Sequence, residues 1–184
     1  MKADIDGAAR IARIASEFGW TWTDRDVARF CEATRWSIVD GVRGSGPTLQ
    51  TNLDVHQPRC HVVFTRRFMD RQAGGGGGID EMRIYVADSG PTKPTKGQSA
   101  ALHHQLRERL VKELGPESEY VFGEDLDNDY WRLPKVVITV APHDDFIQLD
   151  LVNPRYQRCL DEEGARDFMY DEDEEDCDED ENDN

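Results

Sequence analysis

The acidic residues of this chain are concentrated at one end. Residues 161–184 hold fifteen Asp or Glu and a single base, Arg166, a net charge of −14. The first 160 residues hold 23 acids and 21 bases, a net of −2, against −16 for the whole chain. From Asp171 to Asn184 there are eleven acids and no base. Such a run repels itself and has too little apolar surface to offset the entropy of ordering. Any packed fold must therefore be built by residues 1–160, a length that suits one domain around one core. The expected organisation is a single α+β domain over 1–160 and a largely disordered acidic tail over 161–184. The chain is too short for a (β/α)8 barrel.

Apolar spacing sets the expected elements. Residues 5–18 read as an amphipathic helix with Ile11, Ile14, Ala15 and Phe18 on one face, stopped at Gly19. A second helix is expected from Thr23, where Thr23-Asp24-Arg25-Asp26 resembles a capping box. Trp20 and Trp22 lie in the connection and can wedge the two helices together. Strands are expected at 36–42, 48–55, 60–68 and 82–87, where apolar residues alternate. The glycine run 74–78 reads as a flexible loop, and 89–97, with its glycines and prolines, as another. Leu102, Leu106, Leu110 and Leu114 recur four apart and define a third helix over 98–114, closed by Gly115-Pro116. Residues 136–140 and 146–152 form a β-hairpin about the turn 142–145. Asn153-Pro154 opens a last short helix through Leu160.

These elements predict a mainly antiparallel sheet covered on one face by the helices. The expected core comprises Ile11, Ile14, Phe18, Phe30, Leu53, Val63 or Phe64, Ile84, Leu106, Leu110, Val137 or Ile138, Leu149 and Leu151. Trp20, Trp22 and Trp131 are expected to seal its rim.

Catalytic patterns are not prominent. His56, Cys60 and His61 come nearest to a metal cluster. On a strand, however, Cys60 and His61 would point to opposite faces, and no fourth ligand follows at a recognised spacing. His103 and His104 are about 100° apart on a helix and do not share a ligand; they read as surface and boundary residues. Ser45, between two glycines, lacks the full pattern of a nucleophile elbow. The glycine run has no Lys-Ser/Thr after it, so it is not a phosphate loop. His143, Asp144 and Asp145 suit a hairpin turn. Glu124, Asp125 and Asp127 to Asp129 read as a solvated acidic loop. The expectation is a protein that is not an enzyme and takes no cofactor or metal.

The tail offers the clearest functional signal. Phe168, Met169 and Tyr170 directly precede the acids Asp171, Glu172, Asp173, Glu174, Glu175, Asp176, Asp178, Glu179, Asp180 and Glu181. An apolar anchor lowers an off-rate, while dense charge raises an on-rate. These thirteen residues are the expected partner-binding element. The partner would be a protein with a basic surface; direct binding of nucleic acid is disfavoured by the same charge. A second reading is a nucleic-acid mimic or acidic chaperone that competes for a basic protein. A third, less favoured, is a hydrolase or metal enzyme centred on His56, Cys60 and His61 or on His143 and Asp145. No run approaches the ~18 apolar residues of a membrane span, and acids arrive too early for a signal peptide. The expected setting is cytoplasmic, with Cys31, Cys60, Cys159 and Cys177 as free thiols.

The order of these features also resembles a known pattern. Two helices are joined through Gly19-Trp20-Thr21-Trp22-Thr23 and lead to a strand after Trp36. A long leucine helix ends at Leu114-Gly115-Pro116, and Tyr130-Trp131-Arg132-Leu133, a hairpin and Asn153-Pro154 follow. Over residues 5–160 this resembles an uncharacterised family of small actinobacterial domains of unknown function. Those are similar to the immunity proteins and chaperone-like partners encoded near secreted polymorphic toxins. The resemblance implies a binding protein and carries over no catalytic residue. The glycine run and acidic tail lie outside the pattern.

Overall fold

A computed structural model of the protein describes residues 1–42, 46–64, 78–91, 97–118 and 128–171. Its elements run β1 (Lys2–Ala3), α1 (Ile5–Glu17), α2 (Arg25–Thr34), β2 (Ser37–Val42), β3 (Gly46–Gln50), β4 (Arg59–Phe64) and β5 (Ile79–Asp88). Then come α3 (Gln98–Leu114), β6 (Asp129–Arg132), β7 (Val137–Pro142), β8 (Phe146–Val152) and α4 (Pro154–Asp171). Among the described residues the strands form one antiparallel sheet in the order β2-β3-β4-β5-β8-β7-β6, and β1 pairs with the end of β5. The chain is thus an α+β protein, as the alternation of apolar residues implied.

One face of the sheet is dry. Leu49, Cys60, Val62, Met82, Ile84, Ile138, Val140, Ile147, Leu149 and Leu151 are buried there, and α1 and α3 pack over β5, β7 and β8 on that side. Along α1 the buried residues are mostly small: Gly7, Ala8, Ala9, Ala12 and Ala15, with Ile11. Small side chains let the helix axes approach closely, which is why α1 lies against the leucine helix α3. Gly7 makes room for other neighbours, because a Cβ there would fall 2.4 Å from Asp4 Oδ2 and 2.6 Å from Leu53 Cδ2. Leu106 and Leu110 are the buried residues of α3.

An aromatic cluster closes the α1–α2 end. Phe30 is fully buried between the edges of Phe18 (5.3 Å) and Trp36 (5.6 Å). Trp20 stacks on Trp22 at 4.4 Å. Asn52 fixes the entry to β2, accepting from Trp36 Nε1 (3.1 Å) and donating to Thr34 O (3.1 Å). Asn52→Ala should lower stability by about 1–2 kcal/mol, because Trp36 Nε1 and Thr34 O both lose their side-chain partner. Denaturant midpoints of the two proteins test this.

Several expectations change in detail. The strand expected over 48–55 stops at Gln50. Leu53 and Val55 are buried all the same, because distant carboxylates hold the loop that carries them. Asp4 accepts from Asp54 N (3.0 Å), and Asp88 accepts from Gln57 N (2.7 Å). Trp131 is 1 % exposed and belongs to the core rather than its rim, with Nε1 donating to Gly115 O (3.1 Å). Trp22 is also buried, while Trp20 is half-buried. Val63 and Val137 take the opposite face from the main core, Val137 in a small cluster with Tyr130 and Val152. The expected capping box is displaced. Asp26 reaches back past Thr23 to accept from Thr21 N (2.6 Å) and Trp22 N (2.7 Å), and α2 begins at Arg25. No described helix is long and apolar enough to cross a membrane.

The last helix differs most from its expected length. It does not end at Leu160 but continues to Asp171. Arg132 on β6 donates to both oxygens of Asp161 (2.7 and 3.1 Å), and Gln157 adds a third bond (3.0 Å). Tyr156 packs on Tyr130, Val137 and Val152. These contacts tie the helix to the sheet across the point where the body was expected to end.

Candidate functional site

The partner-binding element expected from sequence falls into two parts. Phe168, Met169, Tyr170 and Asp171 lie on the final turns of α4. Glu172, Asp173, Glu174, Glu175, Asp176, Asp178, Glu179, Asp180 and Glu181 lie outside the described residues. Helix α4 therefore links the folded body to the acidic run. At its base, partial burial works against the charge of Asp161. The hydrogen bonds from Arg132 and Gln157 outweigh it and hold the carboxyl below its usual range.

The histidine clusters resolve into structural contacts. His56 Nδ1 lies 2.6 Å from Asp88 Oδ1, in the same carboxylate cradle that holds the 51–58 loop. Cys60 points into the core, where burial pushes its thiol well up and away from the reactive thiolate. His61 sits on the other face against Thr48, as strand geometry required. Among the described residues no group of three or more His, Cys, Asp or Glu is arranged to hold a metal ion. His143 packs on Phe146 within the hairpin turn, and Asp145 O accepts from Ser89 N (2.9 Å). Ser45, the glycines 74–77, Glu124, Asp125 and Asp127 lie outside the described residues.

Asp129 departs from the solvated role expected for it. It starts β6 and lies 2.9 Å from His103 Nε2 and 3.2 Å from Arg107 Nε. Arg107 also makes a two-pronged bond to Glu117, both distances 2.7 Å. His103 therefore packs beside the Arg107–Asp129 pair between α3 and β6, whereas His104 stays exposed beside Glu108.

Strand register builds a feature that no single segment displays. Thr48 pairs with His61, His61 with Arg83, Arg83 with Asp150, Asp150 with Thr139, and Thr139 with Tyr130. These six residues form one polar row across six strands, on the sheet face away from α1 and α3. Asp150 is its centre. Gln148 Nε2 donates to both carboxylate oxygens (2.8 and 3.0 Å), and Thr139 Oγ1 donates to Oδ2 (3.4 Å). Arg83 is held instead by Glu81, with Nε to Oε1 at 2.7 Å. Burial raises Asp150 to about 7, and Glu81 pushes the same way against Gln148, Arg83 and Thr139. Burial together with the Arg59 and Arg83 charges lowers His61. Near neutral pH the row thus offers a neutral imidazole, a half-protonated carboxyl and a paired guanidinium. Asp150, Thr139 and Tyr130 are buried, so the accessible part of the row is Thr48, His61 and Arg83; the one neighbouring thiol, Cys60, faces the opposite way.

This architecture defines a class: a single antiparallel sheet with helices over one face and a polar row across the other. Residues 6–153 match a family of unknown function, DUF6301, and the chain belongs to that family. No curated protein and no solved structure matches it. The match supports the domain of unknown function inferred from the order of elements. The likeness to toxin partners rests on that order alone. The boundary of the match is informative, because it ends at Asn153, one residue before α4 begins. The polar row lies inside it, whereas α4 and the acidic run lie outside.

Proposed function

We propose that the protein is a non-enzymatic protein-binding protein of the immunity-protein or secretion-chaperone type. It covers a basic surface on its partner with the segment from Phe168 to Glu181. The observation that carries this reading is the segregation of charge: a net of −14 in residues 161–184 against −2 in the 160 before them. Helix α4, pinned to β6 through Asp161, gives that charge a fixed point of departure from the body. Opposite charge would speed encounter and fix orientation. Thr48, His61 and Arg83, the members of the polar row that are not buried, supply hydrogen-bonding groups for a second, shorter-range contact. Affinity purification from the native cell, with the full chain and a chain ending at Asp171, tests the proposal. The full chain should retain a basic protein that salt elutes, and the shorter chain should not. Recovery of the product of the neighbouring reading frame would support the immunity role. Equal recovery by both chains would remove the acids beyond Asp171 from the account.

The density of acids also favours a nucleic-acid mimic. In that role the full chain should displace DNA from a basic DNA-binding partner at low salt. Absence of competition there would leave only the first reading.

A further inference from the structure

A cleft of about 390 Å³ opens where the Trp20–Trp22 connection, the 134–135 turn and the start of α4 meet. It is not part of the polar row or the acidic segment. Its wall includes Trp20, Trp22 and Pro154, and its charged groups are Lys135, Arg155 and Arg158. All three cations are exposed, and no carboxylate lines the cleft among the described residues. Elsewhere Arg29, Arg83, Arg107, Arg109 and Arg132 are each matched to an Asp or Glu. None of the three cleft cations has such a match among the described residues. Arg10, Arg25, Arg35, Arg59 and Lys112 also lack a carboxylate match among the described residues, so it is the convergence of three cations on one concavity that points to a ligand.

The wall is also built to stay in place. Trp22 has a left-handed φ of 57°, uncommon for a bulky residue. The fully buried Asp26 holds that turn through the Thr21 and Trp22 amides and is itself paired to Arg29 at 2.5 Å. Trp22 Nε1 donates to Lys135 O (3.1 Å), tying the aromatic wall to the backbone beside one of the cations. At the far side, Asn153 is buried, donates to Ile79 O (3.2 Å) and accepts from Arg155 N (3.0 Å). The cleft floor is therefore fixed by groups that do not depend on its occupant.

We infer that this cleft binds a small ligand through a chain of phosphate groups. Arginine forks match phosphate oxygens two at a time, and lysine adds a third charge without geometric demand. A single carboxylate would leave two of three cations unmatched, whereas two or three linked phosphates carry enough charge for all. The volume lies toward the lower end of small-molecule sites, of order 300–1,000 Å³. The acidic run reduces the long-range attraction, but its field is screened within about 8 Å at physiological ionic strength.

Trp20 and Trp22 supply the readout. Inorganic tripolyphosphate titrated into the full chain should change tryptophan fluorescence saturably, with half-saturation below about 1 mM. The doubly substituted Arg155→Ala, Arg158→Ala protein should bind at least tenfold more weakly while keeping the same far-ultraviolet circular dichroism. A parallel titration with a nucleoside triphosphate separates the two sources of this chemistry. Equal affinity assigns the site to the phosphate chain alone, and tighter binding assigns it to a nucleotide. No saturable change with either ligand overturns the inference, as does binding that the double substitution leaves unaltered. A fluorescence change on removing residues 172–184, with no response to tripolyphosphate in either chain, would show the cleft taken by carboxylates and overturn it too.

Discussion

Asp150→Asn is expected to stabilise the protein at about pH 8 by up to about 4 kcal/mol and to change it little near pH 4. In the folded chain burial pushes the carboxyl up to about 7, from 3.8 for a freely exposed aspartate. Between those values the unfolded chain has released this proton and the folded chain still holds it. The folded state then binds more protons, so stability falls as pH rises, by about 1.4 kcal/mol per pH unit. The contribution is fully present below the unfolded value and lost once pH has passed about 7. An asparagine is neutral throughout and escapes that loss. Its Oδ1 can still accept from Gln148, the nearest donor to Asp150. For a chain of this size the difference corresponds to roughly 8–16 °C in Tm at the alkaline end. Thermal melts of both proteins across about pH 4 to 8 check it. The two curves should diverge with rising pH; parallel curves would mean that Asp150 is not the buried acid described above.

A chain ending at Asp171 is expected to bind its partner about 10- to 100-fold more weakly than the full chain, with an unchanged Tm. The deletion removes ten acids and no base. It spares the Arg132–Asp161 anchor, the Tyr156 contacts and every buried residue of the core. Electrostatic steering raises association rates by about one to three orders of magnitude. The loss should therefore appear mainly in the association rate, which surface plasmon resonance resolves from dissociation. A loss carried by faster dissociation would instead show that the acids beyond Asp171 make short-range contacts that persist in the complex. A fall in Tm would show that the deletion had disturbed the body.

The elements legible in sequence were those with sustained periodicity. The leucines of α3, the amphipathic α1 and the β7–β8 hairpin lie where apolar spacing put them. Local pattern failed where distant groups decided the outcome. Residues 51–55 alternate like a strand, yet Asp4 and Asp88, about 30 to 50 positions away, hold them as a loop. β6 spans only four residues and has no alternation to announce it; its pairing with β7 is what makes it a strand. The polar row was illegible for a related reason. Each member alone reads as an outward residue of its own strand, and only the register of six strands sets them side by side. Asp150 in particular looks solvated in Ile-Gln-Leu-Asp-Leu but is 8 % exposed. The cleft joins residues more than a hundred positions apart, so neither its cations nor its tryptophans pointed to one another in sequence.

Family membership separates two questions that the overall charge had merged. Whatever DUF6301 domains share must be carried by residues 6–153, while the acidic segment follows them. The central claim concerns that segment, and one measurement addresses it directly. The affinity of the full chain for its purified partner should be followed from about 0.05 M to about 0.5 M salt, beside the chain ending at Asp171. The account predicts a steep fall for the full chain, a nearly flat line for the shorter one, and convergence at high salt. Identical affinities and identical slopes for the two chains would contradict it and place the binding surface within residues 1–171.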